Sequence, residues 1–265
     1  MNFIKQKNIT VGIPVYNNKL SLLKSVYSIL NQDIDDFKIN ILIVDDGSDK
    51  FTKEIIFKLA SNHADIKVIT HEKNLGRPSA RNTIIKNLNS EYFAMLDADD
   101  VFYPYKLKSQ FNFVKKKYDK FPENLILCGN LLEYDLDLEQ IKVKNFSRHY
   151  ENYDFKRLLS SDNIPISQLA VMKTDFVKEL KFDNKLKRAQ DWDFLISFFN
   201  KGGYADFCPG NPLSVFYFTR QNRNPLLIAQ CMDYVVKKNY KLFKKHDVSI
   251  EETRKKYLKY VERFL

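Results

Sequence analysis

Apolar residues along the first hundred positions come in short runs separated by longer amphipathic stretches. Asn8 to Val15, NITVGIPV, is a β-branched run that stops at a polar turn, Tyr16 to Asn18. Leu23, Val26, Tyr27 and Leu30 then recur with the spacing of one helical face. Ile39 to Val44 predicts a second buried strand, followed by Asp45 to Ser48, DDGS. A helix near Lys53 to Ser61, a strand at Ile66 to Thr70, the loop HEKNLGRPS and a helix from about Ala80 to Leu88 continue the alternation. Tyr92 to Leu96 is a fourth strand. Strands separated by helices of this length predict a mostly parallel, doubly wound sheet of the α/β class, with ligands bound beyond the carboxyl ends of the strands.

After Tyr103 the pattern changes. A basic helix over about Tyr105 to Tyr118 leads to a strand at Leu125 to Cys128, and Glu133 to Lys144 alternates as a hairpin would. Tyr153 to Ser160 predicts a short helix and Ser167 to Met172 a strand. Arg188 to Gly203 predicts a helix entered through acidic residues and closed by two glycines. Leu213 to Phe218 is one more strand, and from Asn224 the chain is helical. The expected organisation is a nucleotide-binding half (1–104), an acceptor-side half (105–223) and a C-terminal helical extension (224–265).

The four early polar clusters each follow a strand, so they converge on one edge of the sheet. The fourth holds three carboxylates, Asp97, Asp99 and Asp100, within four positions. Like charges this close raise one another's pKa unless a cation sits among them. A hard divalent ion completed by a diphosphate satisfies that demand; an acidic turn that is merely solvated is the plainer alternative. Neither a Gly-rich dinucleotide fingerprint nor a P-loop follows any of these strands, which disfavours a Rossmann dehydrogenase and a P-loop kinase.

Composition narrows the field further. Over 265 residues, 44% hydrophobic and 29% charged is the balance of a globular protein with a substantial core. A formal charge of +10 favours acidic partners such as nucleic acid, anionic lipid or a nucleotide diphosphate. Cys128, Cys208 and Cys231 have no paired spacing, so neither a disulfide framework nor a zinc site is expected, and a reducing compartment is. No signal-peptide core or membrane-length apolar segment is present, and the expected location is cytosolic or peripheral at the inner face of a membrane.

Five segments, TVGIPVYNN (Thr10 to Asn18), VDDGS (Val44 to Ser48), NLGRPSARN (Asn74 to Asn82), LDADD (Leu96 to Asp100) and FDNKLKRAQDWDF (Phe182 to Phe194), stand in an order that resembles the family 2 glycosyltransferases. That family comprises inverting enzymes of the GT-A fold with nucleotide-sugar donors. The resemblance implies that Pro14, Tyr16, Asp46 and Asn74 surround the nucleotide base, that Arg81 reaches the diphosphate, and that Asp97 and Asp99 are the ribose and metal carboxylates, with Asp99 the metal ligand foremost. It implies Mn2+ or Mg2+ as the ion, a UDP-sugar as the donor and a glycan or lipid-linked glycan as the acceptor. Asp191 matches the family's catalytic base. Asp193, two residues on, is its competitor, because both sit where a helix N-terminus favours carboxylates whatever their role. Asp100 is either part of the site or a cap for the next segment. Two positions depart from the pattern: Gln190 replaces an acidic residue beside the base, and Asn222 stands where a histidine is common.

Other readings compete. A nucleotidyltransferase also pairs such a sheet with acidic metal sites, but it would carry a basic, Gly-rich loop where this chain has PVYNN. A basic nucleic-acid-binding module leaves the two acidic strand ends unexplained. A glycosyltransferase relative without turnover would fit Gln190 and Asn222. Trp192 is read as core before sugar platform, and His63, His71, His149 and His246 are given no role. The Lys and Arg residues between Tyr234 and Phe264 alternate with apolar ones, which offers either contact with an anionic leaflet or packing on the catalytic domain.

Overall fold

The computed structural model describes residues 7–34, 37–150, 152–219 and 224–262. Strand and helix alternate through the first part as β1 (Lys7–Val15), α1 (Ser21–Leu30), β2 (Phe37–Asp45), α2 (Lys50–Asn62), β3 (Ile66–Thr70), α3 (Arg77–Lys86) and β4 (Tyr92–Met95). A short β5 (Val101–Phe102) and α4 (Lys106–Tyr118) lead to β6 (Leu125–Gly129), β7 (Leu131–Asp135) and β8 (Gln140–Lys144). Three brief helices, α5 (Phe146–His149), α6 (Phe155–Leu159) and α7 (Ile166–Leu169), precede β9 (Val171–Lys173) and α8 (Thr174–Lys178). Then come α9 (Gln190–Asn200), β10 (Tyr204–Cys208), β11 (Ser214–Phe218), α10 (Pro225–Lys238), α11 (Tyr240–Lys245) and α12 (Ile250–Val261).

Seven strands form the main sheet in the order β10-β6-β9-β4-β1-β2-β3. All its pairings are parallel except those of β9, which runs antiparallel to both β4 and β6. The mixed, mostly parallel sheet flanked by helices is the expected α/β architecture. A second sheet, β5-β11-β7-β8, stands beside it, with β7 and β8 as the anticipated hairpin. Side chains of β2 show how the period of two feeds two core layers. Ile41 and Ile43 pack with α1, α2 and α4, whereas Leu42 and Val44 pack with α3, α9 and the C-terminal helices. Gly12 lets α3 lie close on β1, since a Cβ there would come within 2.3 Å of Ile84 Cγ2.

Several local expectations are corrected. The buried face of α1 is Leu22, Val26 and Ile29, and Tyr27 is 48% exposed. The stretch Ser167 to Met172 is the end of α7 followed by β9, not one strand. α2 begins at Lys50, three residues early, because Asp49 caps it by accepting from Thr52 N at 2.8 Å. α3 likewise begins at Arg77, with Pro78 in its first turn, where a missing N–H costs nothing. In the C-terminal helices Val235, Val236, Phe243 and Tyr257 are buried in the same core as α9, Val261 is buried too, and the lysines face outward. Among the described residues no helix is long and apolar enough to cross a membrane.

Candidate active site

β4 ends at Met95, and the Leu96 N–H still pairs with Gly12 O at 3.0 Å, so Asp97 leaves the sheet at a fixed height. Facing it is Arg81, on α3 and only 2% exposed. Its Nη2 donates to Asp97 Oδ1 at 3.0 Å and to Ser167 Oγ at 2.6 Å, and its Nη1 donates to Asp191 Oδ1 at 2.7 Å and to Gln190 Oε1 at 3.2 Å. The Phe182 ring lies 5.2 Å from the guanidinium carbon. One planar cation thus joins strand end, α7 and the first turn of α9. Burial works against the Arg81 charge, but Asp97 and Asp191 outweigh it and strengthen its hold on the proton.

The two carboxylates respond differently to the shared cation. Burial opposes ionisation of Asp97, yet Arg81 and then Arg77 hold it below the ordinary carboxylate value. For Asp191 burial prevails, and its pKa is raised despite Arg81. The side chain stays 20% accessible and opens on a cavity of about 1240 Å³, which Asp97, Arg77 and Gln168 also line. A carboxylate that is open to a cavity, ionisable and hydrogen-bonded on one oxygen can accept a proton with the other.

Asp99 is exposed to solvent beyond the strand end, and partial desolvation of its carboxyl by the surrounding protein, together with Asp97, pushes it up to about 6. Asp100 turns inward and is fully buried. Its Oδ1 accepts from Tyr217 N at 3.0 Å and its Oδ2 from Gln168 Nε2 at 2.5 Å. Burial and the neighbouring Asp99 and Asp97 raise its pKa well above the usual range. Asp100 therefore fastens the motif to β11 and α7. Among the described residues no group of three or more His, Cys, Asp or Glu side chains is arranged to hold a metal ion.

The first three polar clusters meet as a second group. Tyr16, 51% exposed, follows β1, and Pro14 is buried in its last turns. Asp46 is buried, with Oδ1 accepting from Leu75 N at 2.9 Å and Oδ2 from Gly76 N at 2.8 Å, while His71 Nδ1 lies 2.7 Å from Oδ1. The loop of Asn74 is thereby tied to the end of β2. Asn74 is exposed and closes its own turn on Gly76 N. Arg81, expected at the diphosphate, has four side-chain partners within the protein. Arg77, one turn earlier on the same helix, is the exposed guanidinium at the cavity.

A profile of the family described as Glycosyl transferase family 2 matches residues 10–180. The chain belongs to that family. An uncharacterized glycosyltransferase of Methanocaldococcus jannaschii is 31% identical over 190 residues, a stretch covering 71% of this chain and 63% of that protein. The matched part is thus under two thirds of that relative's length. The fold is shared with S. aureus TarS 1-349 in complex with UDP-GlcNAc, at a TM-score of 0.64 and 19% identity over 86% of this chain and 65% of that one. It is also shared with the mannosyltransferase PcManGT from Pyrobaculum calidifontis, in complex with GDP-Man and Mn2+, at 0.61 and 18% over 88% and 64%.

In this family 2 glycosyltransferase Asp193 is no neighbour of Asp191 in space. It is 1% exposed, points to the far side of α9 and pairs with Lys238 of α10 at 2.8 Å. Trp192 is core, its Nε1 donating to Leu158 O at 2.7 Å. Gln190 supplies a neutral acceptor to Arg81 where an acid is usual. Asn222 lies outside the described residues. Ser167, Gln168 and His71 were missed by sequence reasoning. Only the spacing of His71 after DDGS could have drawn attention, since Ser167 and Gln168 sit in a stretch with no motif.

Proposed function

We propose that the chain is an inverting glycosyltransferase that moves a sugar from a nucleotide-diphosphate donor, a UDP-sugar, to a hydroxyl of a glycan or lipid-linked glycan. The observation that carries this is the joining of Asp97 and Asp191 by Arg81 at one cavity, which sets a leaving-group carboxylate and a proton acceptor side by side. Asp191 takes the proton from the acceptor hydroxyl as its oxygen attacks the anomeric carbon. The bond from that carbon to the diphosphate oxygen breaks with its electron pair leaving on the nucleotide. A general base of this kind contributes about 10² to 10⁴ in rate.

The residues present fit a hard divalent cation. Asp99, exposed two residues past Asp97, and Asp97 itself offer only carboxylate oxygens, and two such ligands with substrate phosphates make the shell that Mg2+ or Mn2+ takes in phosphate sites. A bound ion would neutralise the charge developing on the departing diphosphate. Arg77 meets the diphosphate from the other side, while Arg81 keeps the two carboxylates in place. Pro14, Tyr16 and Asn74 flank the base, and Asp46 acts by holding the loop of Asn74. The outward lysines of α10 to α12 suit an anionic surface on which a lipid-linked acceptor would sit.

A panel of UDP- and GDP-sugars, assayed for Mn2+-dependent hydrolysis and for thermal stabilisation, tests this reading. Turnover of at least one UDP-sugar that EDTA abolishes is expected. Stabilisation by none of them, with or without Mn2+, would refute it.

A further inference from the structure

Lys106 opens α4 with a side chain that is 0% exposed. Its Nζ donates to Gln110 Oε1 and to Leu169 O, each at 2.8 Å. Gln110, one turn later, donates its own Nε2 to the same Leu169 O at 2.9 Å and to Leu127 O at 2.9 Å. Two donors from α4 therefore converge on one carbonyl at the end of α7. The four-residue α7 has little regularity of its own to fix its place. Yet it carries Ser167, which accepts from Arg81, and Gln168, whose Nε2 lies 2.5 Å from Asp100 Oδ2 and 3.5 Å from Asp97 Oδ2.

Among the described residues no carboxylate pairs with Lys106. The Phe102 ring lies 4.7 Å away, and the thiols of Cys128 on β6 and Cys208 on β10, both pushed toward the protonated form by burial, are near enough to feel its charge. Without a counter-ion, burial lowers the amine to about 7. An uncharged amine has two N–H bonds, the number of acceptors it meets here.

We infer that Lys106 is a positioning residue for the transfer site: with Gln110 it clamps the Leu169 carbonyl and so fixes α7, which presents Ser167 to Arg81 and Gln168 to Asp97 and Asp100. The inference rests on the glycosyl-transfer reading of that site. Its reach runs from the core to the carboxylates through one peptide carbonyl.

The test is calorimetric binding of UDP, with Mn2+ and with EDTA, to wild type, Lys106→Met, Gln168→Leu and the double variant, each first shown to melt cooperatively. Lys106→Met is expected to weaken Mn2+–UDP about ten-fold and to leave UDP in EDTA unchanged. Gln168→Leu should weaken it comparably, and the double variant should lose no more than about two-fold beyond the weaker single, because both act through α7. If Lys106→Met does not fold, Gln110→Leu, which removes the second donor to the same carbonyl, carries the same expectation. A folded Lys106→Met (or Gln110→Leu in its place) with wild-type affinity, or fully additive losses in the double variant, would overturn the inference alone. Failure of the wild type to bind Mn2+–UDP would overturn the functional reading, which names a UDP donor, and this inference with it.

Discussion

Asp191 and Asp193 are two residues apart on one helix, and replacing each by Asn should separate chemistry from stability. Asp193 is buried and holds Lys238 Nζ at 2.8 Å, with Asn239 Nδ2 at 3.5 Å on its other oxygen. Asparagine keeps the volume and can still accept from the ammonium, so the loss is that of a charge-assisted bond, about 1.5–3 kcal/mol. Lys238 retains Asp183 at 2.9 Å and is partly exposed, which puts the cost near the lower end of that range. At about 2–4 °C per kcal/mol for a chain of this size, Tm should fall by about 3–6 °C. Turnover at a temperature well below Tm should change little. Asp191→Asn should do the reverse. Arg81 keeps Asp97, so Tm should move less, while transfer falls by about 10² or more because the proton has no acceptor. Differential scanning calorimetry and Mn2+-dependent release of UDP from a UDP-sugar measure the two quantities on the same samples. A large loss of turnover in Asp193→Asn without a fall in Tm, or an Asp191→Asn enzyme within ten-fold of wild type, would refute the assignment.

Three further outcomes are expected. UDP at about 100 times its Kd should stabilise the protein by about 2.7 kcal/mol with Mn2+, much less with EDTA, and Asp99→Asn should erase the difference in thermal melts. Gly47→Ala should destabilise by at least about 1 kcal/mol in urea titration, since Gly47 has φ +75° and a Cβ would lie 2.5 Å from the Lys73 carbonyl carbon. Lys106 titrates near 10.5 when unfolded and near 7 when folded, so between those values the unfolded chain holds a proton that the folded one lacks. Raising pH from 7 to 10 should therefore raise the Tm of wild type relative to Lys106→Met, and parallel curves would refute the shift.

Much of the sheet was legible because buried parallel strands need continuous β-branched runs, and β1, β2 and β3 are written that way. The face of α1 was not, because SLLKSVYSIL satisfies two helical registers and only the surface of β1 and β2 chooses between them. The stretch ending in Met172 misled because ISQLAVM is apolar enough for a strand, while the contacts that bend it into α7 come from α4, some sixty residues earlier. In the site, the carboxylates announced themselves by density. Arg81 was visible as a cation, but its partners were not, since Ser167, Asp191 and Asp97 lie far apart in sequence. Lys106 was not singled out within the basic helix, because nothing in a lysine-rich sequence distinguishes the lysine that points inward.

A guanidinium shared by Asp97 and Asp191 makes the two ends of the site thermodynamically inseparable. Any ligand that alters the charge felt at Asp97 alters how strongly Arg81 favours the ionised form of Asp191, and so changes its proton affinity. Linkage requires the converse: a proton taken up at Asp191 changes that ligand's affinity by the same factor. Donor binding to Asp99→Asn, measured across pH in a buffer of known ionisation enthalpy, would thus report a proton count that includes a residue the donor need never touch.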